Sequence, residues 1–304
     1  MRKLLILAVV LFPFGTISAA PAKEARAAPA VERNVVYGMY SGLALLLDVH
    51  RPAKPNGFGV IFVAGSGWQS ELEYGATPLK ERQIPLWGPP LLAAGYTVFA
   101  INHRAAPRFT YPAAIDDVQR AIRFVRFHAR DYGIDAARIG GVGGSSGAHL
   151  VGLAAMLGAT GNPNDADPVN RESAALTAVV LRAPPLDLRT IDTLEGTAYV
   201  VSFMDAPVGN TSISASYAAA SPITHVTTNS PPVLLLHGDA DKVIPYSQSV
   251  AMQAALQAAN VPVRLVAIPG GAHGADFGAA QPAANWPDYF GETVSWLDRY
   301  VRGK

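Results

Sequence analysis

From Val35 to its end the chain alternates short, almost wholly apolar runs with amphipathic segments. No other feature narrows the possible folds as far. The runs are Leu43–Val49, Val60–Val63, Thr97–Ile101, Ile139–Val142, Ala178–Leu181, Val233–Leu236 and Arg264–Ile268. A strand with one wet face alternates apolar and polar side chains. A strand apolar throughout is covered on both faces, as in a parallel sheet. Helical patterns lie between the runs. Ile115, Val118, Ile122 and Val125 recur at helical spacing, with Arg120, Arg123, Arg126 and Arg130 mainly opposite. Ser247–Ala259 and Tyr289–Val301 read likewise. The pattern predicts an α/β fold, a mostly parallel central sheet with helices on both faces. Sites in such sheets lie at the carboxyl ends of the strands.

Two segments interrupt the alternation. Ser70–Pro90 contains, among others, Trp87, Pro85, Pro89 and Pro90, and Pro185–Pro231 is long for a simple crossover. Both read as lid or cap excursions. The N-terminus reads differently again. Arg2 and Lys3 precede the apolar run Leu4–Phe14, and Ala20-Pro21-Ala22 has the small-x-small form of a signal-peptidase site. Residues 1–22 are therefore expected to be an export signal, 23–34 a flexible leader and 35–304 the folded domain, secreted or periplasmic. No later stretch reaches the about 18 unbroken apolar residues of a membrane span. Lys and Arg total 24 against 23 Asp and Glu, which leaves no field to attract nucleic acid. The chain has no cysteine, which excludes disulfides, thiolate metal sites and a cysteine nucleophile.

The residues able to do chemistry cluster after the predicted strands. Gly143-Gly144-Ser145-Ser146-Gly147 follows one apolar run and precedes the helical run Ala148–Met156. A G-x-S-x-G sequence between strand and helix forms a sharp turn that lifts the central serine out of the sheet. Ser145 is the expected nucleophile and Ser146 the lesser candidate. No G-K-[S/T] follows, so a phosphate-binding loop does not fit. A nucleophilic serine needs a base oriented by an acid, in the chain order Ser, Asp/Glu, His. Of the seven histidines only His273, in Pro269-Gly270-Gly271-Ala272-His273-Gly274, comes late enough. His237 and His149 are expected to be structural. Asp239 and Asp241 both follow the run Val233–Leu236, and spacing alone does not separate them. No His or third carboxylate shares their spacing, so no metal is expected. The small residues of Ala64-Gly65-Ser66-Gly67-Trp68 would let backbone N–H groups of Ser66 and Gly67 reach a developing oxyanion, together with that of Ser146.

Taken in order, these pieces resemble the α/β-hydrolase fold, and most closely the serine carboxylesterases related to hormone-sensitive lipase and the bacterial feruloyl-esterase-like and acetyl-esterase-like group. Asn102-His103-Arg104-Ala105-Ala106-Pro107 with Tyr111-Pro112-Ala113 and Asp116-Asp117 looks like that group's N-Y-R-x-A-P…F-P-A…D signature. Tyr132-Gly133-Ile134-Asp135, Arg138-Ile139-Gly140, Ser221-Pro222 and Pro231-Pro232 add to the likeness. His237-Gly238-Asp239-Ala240-Asp241 is similar to H-G-x-x-D, whose last residue is the acid, which implies Asp241. The sequence departs from the pattern in places. Ala64 and Ser66 stand in an oxyanion loop that is commonly H-G-G-G, Ser146 where alanine is usual, and Gly144 where an acid is frequent.

The resemblance implies hydrolysis of short acyl or aryl-acyl esters through an acyl-enzyme on Ser145, without cofactor. The substrate would be a small ester or an ester group on a polysaccharide, and Trp68 and Trp87 are expected to line the pocket. Two other readings remain open at this point: an amide hydrolase like kynurenine formamidase, and a non-catalytic binding module of hydrolase fold.

Overall fold

The structure is a computed structural model, and it describes residues 30–206, 214–279 and 282–304. Eight strands form one sheet: β1 Val31–Tyr40, β2 Leu43–His50, β3 Gly59–Val63, β4 Thr97–Ile101, β5 Ile139–Gly144, β6 Ala178–Arg182, β7 Val233–Gly238 and β8 Val263–Ile268. Their spatial order is β1-β2-β4-β3-β5-β6-β7-β8. β1 and β2 are antiparallel, β2 is antiparallel to β4, and every pairing from β4 to β8 is parallel. The expected mostly parallel sheet is thus the one found.

The helices are α1 Ile84–Ala93, α2 Ala113–Phe127, α3 Ala129–Tyr132, α4 Ser146–Leu157, α5 Leu194–Met204, α6 Ser214–Ala219, α7 Ser247–Ala258 and α8 Tyr289–Leu297. They build two cores, one on each face of the sheet. Ile61, Val63, Phe99, Val179, Leu181 and Leu235 point into the core covered by α2 and α4. Val60, Phe62, Val98, Val180, Leu234 and Leu236 alternate with them and point to α1 and α8. Neighbouring residues of one strand therefore face opposite cores, which is why these strands carry no polar alternation.

The structure corrects two expectations. β1 has no counterpart among the apolar runs and begins at Val31, so residues 31–34 of the expected leader belong to an edge strand. It was hidden because most of its residues are exposed or half-buried and its pairing is broken by irregularities between Glu32 and Val35 and between Val36 and Gly38. The expected signal segment 1–22, and the leader up to residue 29, lie outside the described residues. The lid expected over Ser70–Pro90 ends instead in α1, part of the second core. Pro85 occupies its first turn, where the missing N–H costs nothing, while Pro89 and Pro90 lie inside it. Buried Trp87 and Leu91 anchor the helix despite those two prolines. The Pro185–Pro231 excursion contains α5 and α6 and does reach the site, as shown below. Among the described residues, no helix is long and apolar enough to cross a membrane.

Candidate active site

The loops after β5, β7 and β8 converge at the carboxyl edge of the sheet. Ser145 sits between β5 and α4 with φ of 52°, the left-handed region that a serine rarely enters. Two close approaches explain the turn. A Cβ on Gly147 would collide with the Val63 carbonyl of β3, so α4 docks on the strand only with glycine there. A Cβ on Gly144 would collide with the guanidinium of Arg182 at the end of β6. Glycine at this position thus leaves the room that the arginine side chain fills. The turn is held by the Ser145 N–H, which donates to the Arg182 carbonyl at 2.7 Å.

His273 lies on the loop after β8. Its Nδ1–H donates to Asp241 Oδ2 at 2.7 Å, which leaves Nε2 as acceptor for the Ser145 hydroxyl at 3.0 Å. The Asp241 side chain is fully buried and His273 is 20% exposed, so the chain of hydrogen bonds runs from the interior to a wet surface. Asp241 Oδ1 accepts from the N–H groups of Val243 and Ile244, both at 2.9 Å. Burial alone would raise the Asp241 carboxyl. Hydrogen bonds from His237 and His273, with the attraction of His273 and the Ile244 N–H, win and hold it well below the usual carboxylate range. Asp239, the other carboxylate of the turn, accepts from Gly270 N–H at 2.6 Å and braces the loop that bears His273.

The two other histidines are locked in place, as expected. His237 Nε2–H donates to the Ile244 carbonyl at 3.0 Å and its Nδ1 accepts from Ser249 Oγ at 2.7 Å. His149 Nε2–H donates to the Ala220 carbonyl at 2.7 Å, and Nδ1 accepts from Trp68 Nε1 at 3.0 Å. Burial lowers the His149 ring to about 4, against the opposing pull of the Ala220 carbonyl, which fixes the neutral form.

The three expected oxyanion donors meet beside Ser145 but are not equivalent. The Ser66 N–H donates to the side chain of Ser146 at 2.9 Å. Among the described residues, no acceptor is found for the N–H of Gly67 or Ser146. The Ser66 N–H is therefore already partnered, by the Ser146 hydroxyl.

A cavity of about 180 Å³ is lined by Ser145, His273, the Gly65–Gly67 loop, Gln83, Arg182, and Glu195 with Tyr199 of α5. α5 is tied to the acid loop, because its capping Thr193 donates to the Val243 carbonyl at 2.5 Å. A larger cavity of about 680 Å³ lies against β1 and α2, but it holds no nucleophile with a base. Neither expected pocket tryptophan lines the cavity over Ser145. Trp68 is buried and stacks on Phe203 at 4.7 Å; Trp87 is buried against Tyr289 and Phe290, its Nε1 donating to the Ala275 carbonyl. Aromatics beside a catalytic loop are core more readily than pocket, because their large apolar area favours full burial.

Gln83, Arg182, Glu195 and Tyr199 went unnoticed in the sequence. Arg182 alone left a signal: a cation directly after the unbroken apolar run Ala178–Leu181 must stand at the functional edge of the sheet.

Residues 47–256 match the protein family described as BD-FAE. The chain is 34% identical over 212 residues to esterase LipQ of Mycobacterium tuberculosis, covering 67% of this chain and 47% of LipQ. It is 32% identical over 252 residues to esterase LipC of the same organism, covering 80% of this chain and 60% of LipC. The chain spans about half the length of the curated relatives it matches. Among solved structures, a truncated carbohydrate esterase from gut microbiota superposes with a TM-score of 0.73 at 26% identity, covering 89% of this chain and 96% of that one. Thermogutta terrifontis esterase 2 superposes with a TM-score of 0.67 at 25% identity, covering 89% and 91%. The α/β-hydrolase fold expected from the motifs is the fold of this chain.

Proposed function

The chain belongs to the BD-FAE family, and from that premise we propose that it hydrolyses carboxylic esters by a serine mechanism. The observation that carries the reading is the hydrogen-bonded line Ser145–His273–Asp241 at 3.0 and 2.7 Å, bordering an open cavity. Ser145 Oγ attacks the ester carbonyl while His273 Nε2 takes its proton. Asp241 holds the ring in the tautomer that leaves Nε2 free, and stabilises the imidazolium that forms. The N–H groups of Gly67 and Ser146 receive the oxyanion, at the positive end of α4. His273 then gives its proton to the leaving alcohol, and a water activated by the same ring releases the acid. The Ser66 N–H acts through Ser146 and serves as a direct donor only if that side chain turns away.

The relatives named esterase and the neighbour named carbohydrate esterase support a small acyl ester, free or attached to a polysaccharide, as substrate. The N-terminal sequence supports export to the periplasm or medium. Fractionation with N-terminal sequencing tests this, and a mature start at Lys23 is expected. For the chemistry, the purified protein is treated with a fluorophosphonate probe and assayed on p-nitrophenyl esters of increasing acyl length. Labelling and turnover are expected in the native protein. Ser145→Ala should abolish labelling and lower kcat by on the order of 10⁴ or more. An unlabelled, inactive native protein would leave only a binding role for this fold.

A further inference from the structure

Arg182 is the one strong base lining the cavity over Ser145, and it is 2% exposed. Among the described residues, no carboxylate lies within 4.0 Å of it, unlike Arg104, which pairs with Asp117 at 2.7 Å. Its hydrogen bonds go to neutral oxygens instead: Nη1 donates to the Gly274 carbonyl and Nη2 to Gln83 Oε1 at 3.3 Å. Gln83 Oε1 also accepts from Gly65 N–H at 3.2 Å, and Gln83 holds a φ of 62° to do so. A residue other than glycine in that strained region marks a position fixed by its surroundings. Gly144 leaves the space the guanidinium fills, so the arginine is built into the elbow itself.

A guanidinium has five N–H donors in a planar fork, and two of them are accounted for here. Burial lowers it to about 10, with Asp241, Asp276 and Tyr289 pulling the other way, so it stays charged at neutral pH. Asp241 is committed to His273 and to the Val243 and Ile244 N–H groups, and Asp276 accepts from Gly278 N–H at 3.0 Å. The charge is thus taken out of water without a counter-ion at hydrogen-bond distance, which is costly unless something else supplies one. The cavity beside it is where substrate must lie.

We propose that Arg182 and Gln83 form an anion subsite, and that the preferred substrates are esters bearing a carboxylate close to the scissile bond. The fork of the guanidinium matches a carboxylate bidentately. The exposed Glu195 at the same cavity disfavours more highly charged anions, which points to a monoanionic carboxylate rather than a phosphate. This inference rests on the esterase reading above and names the substrate class of the same site.

The experiment compares kcat/KM, at constant ionic strength, within pairs of an anionic ester and a neutral ester that carries an alkyl group in place of its carboxylate. Monomethyl glutarate against methyl valerate places the carboxylate on the acyl side. Acetoxyacetate against propyl acetate places it on the alcohol side. The native protein should favour the anionic member of one pair by about tenfold or more, the scale of one charged hydrogen-bonded contact. Arg182→Gln should reduce that ratio by about the same factor. The ratio cancels any loss of folded protein. Should the variant fail to fold, inhibition of neutral-ester hydrolysis in the native protein decides: glutaramate, a monoanion, should compete, and do so about tenfold more tightly than neutral glutaramide. Ratios near or below one in both pairs overturn the inference, as does a ratio that Arg182→Gln leaves unchanged, or equal inhibition by the two compounds. A native protein that turns over neither neutral nor anionic esters and takes no phosphonate label sinks the esterase reading as a whole. Turnover of neutral esters without preference sinks the anion subsite alone.

Discussion

Two neighbouring hydroxyls at the elbow have divergent fates. Ser145 Oγ faces His273, while Ser146 is 1% exposed and its Oγ accepts the Ser66 N–H. Ser146→Ala should therefore keep kcat within a few-fold, since its backbone donor survives and the Ser66 N–H is released toward the oxyanion. It should lose about 0.5–1.5 kcal/mol of stability with the hydrogen bond, read in urea unfolding. A kcat that collapses in a folded Ser146→Ala protein would make that hydroxyl part of the chemistry. The two aspartates divide just as sharply. Asp241→Asn should lower kcat by about 10⁴, because the amide favours the wrong tautomer of His273. Asp239→Asn loosens only the brace on Gly270 and should cost far less. A reversed order would move the acid to Asp239. Ser145 and His273 were legible in the sequence because a strand-to-helix turn and a chain order specify them. Spacing did not separate Asp239 from Asp241, and only the likeness to H-G-x-x-D pointed to Asp241; the physical choice depends on which carboxylate the Val243 and Ile244 N–H groups turn inward.

Among the secondary-structure elements, α5 is the one the sequence least foretold and the site most depends on. Its Phe203 is 1% exposed, stacks on Trp68 and meets Tyr111 and His149 edge-on. One turn earlier, Tyr199 lines the cavity and donates to Glu195 Oε1 at 3.0 Å. Phe203→Ala should cost about 3–5 kcal/mol in urea unfolding. Because it frees the helix that walls the cavity, KM should rise more than kcat falls. An equal loss in kcat and kcat/KM, with KM unchanged, would mean that α5 does not hold substrate. The central strands were plain in the sequence because burial on both faces leaves no polar residue to blur them. β1 and α1 were not. The first is an edge strand whose side chains are mostly wet, and the second keeps prolines that local preference forbids and packing overrides.

For the whole molecule, three histidines, His50, His103 and His149, lean one way. His149 is held near 4 by burial, and burial also lowers His50 and His103. Below about pH 6.5 the unfolded chain binds protons that the folded chain refuses, so stability falls with pH. For His149 the loss runs from pH 6.5 down to about 4 and totals on the order of 3 kcal/mol. Asp241 adds to it lower still: its depressed carboxyl contributes stability present above about pH 4 and lost as pH falls toward its folded value. His149→Gln, which can still accept from Trp68 and donate to Ala220, should flatten urea-derived stability between pH 4 and 6.5 by up to about 1.4 kcal/mol per pH unit. An unchanged slope would show that His149 is not the group refusing the proton. The sheet order has a temporal consequence as well. Ser145 and His273 are 128 residues apart, and the strand before each is paired to the core through a different neighbour. A chain emerging from its N-terminus completes the elbow long before the base exists, and such distant contacts form late. In refolding, tryptophan burial should therefore run ahead of phosphonate reactivity, so that, on the proposed serine mechanism, labelling of Ser145 reports the arrival of β8.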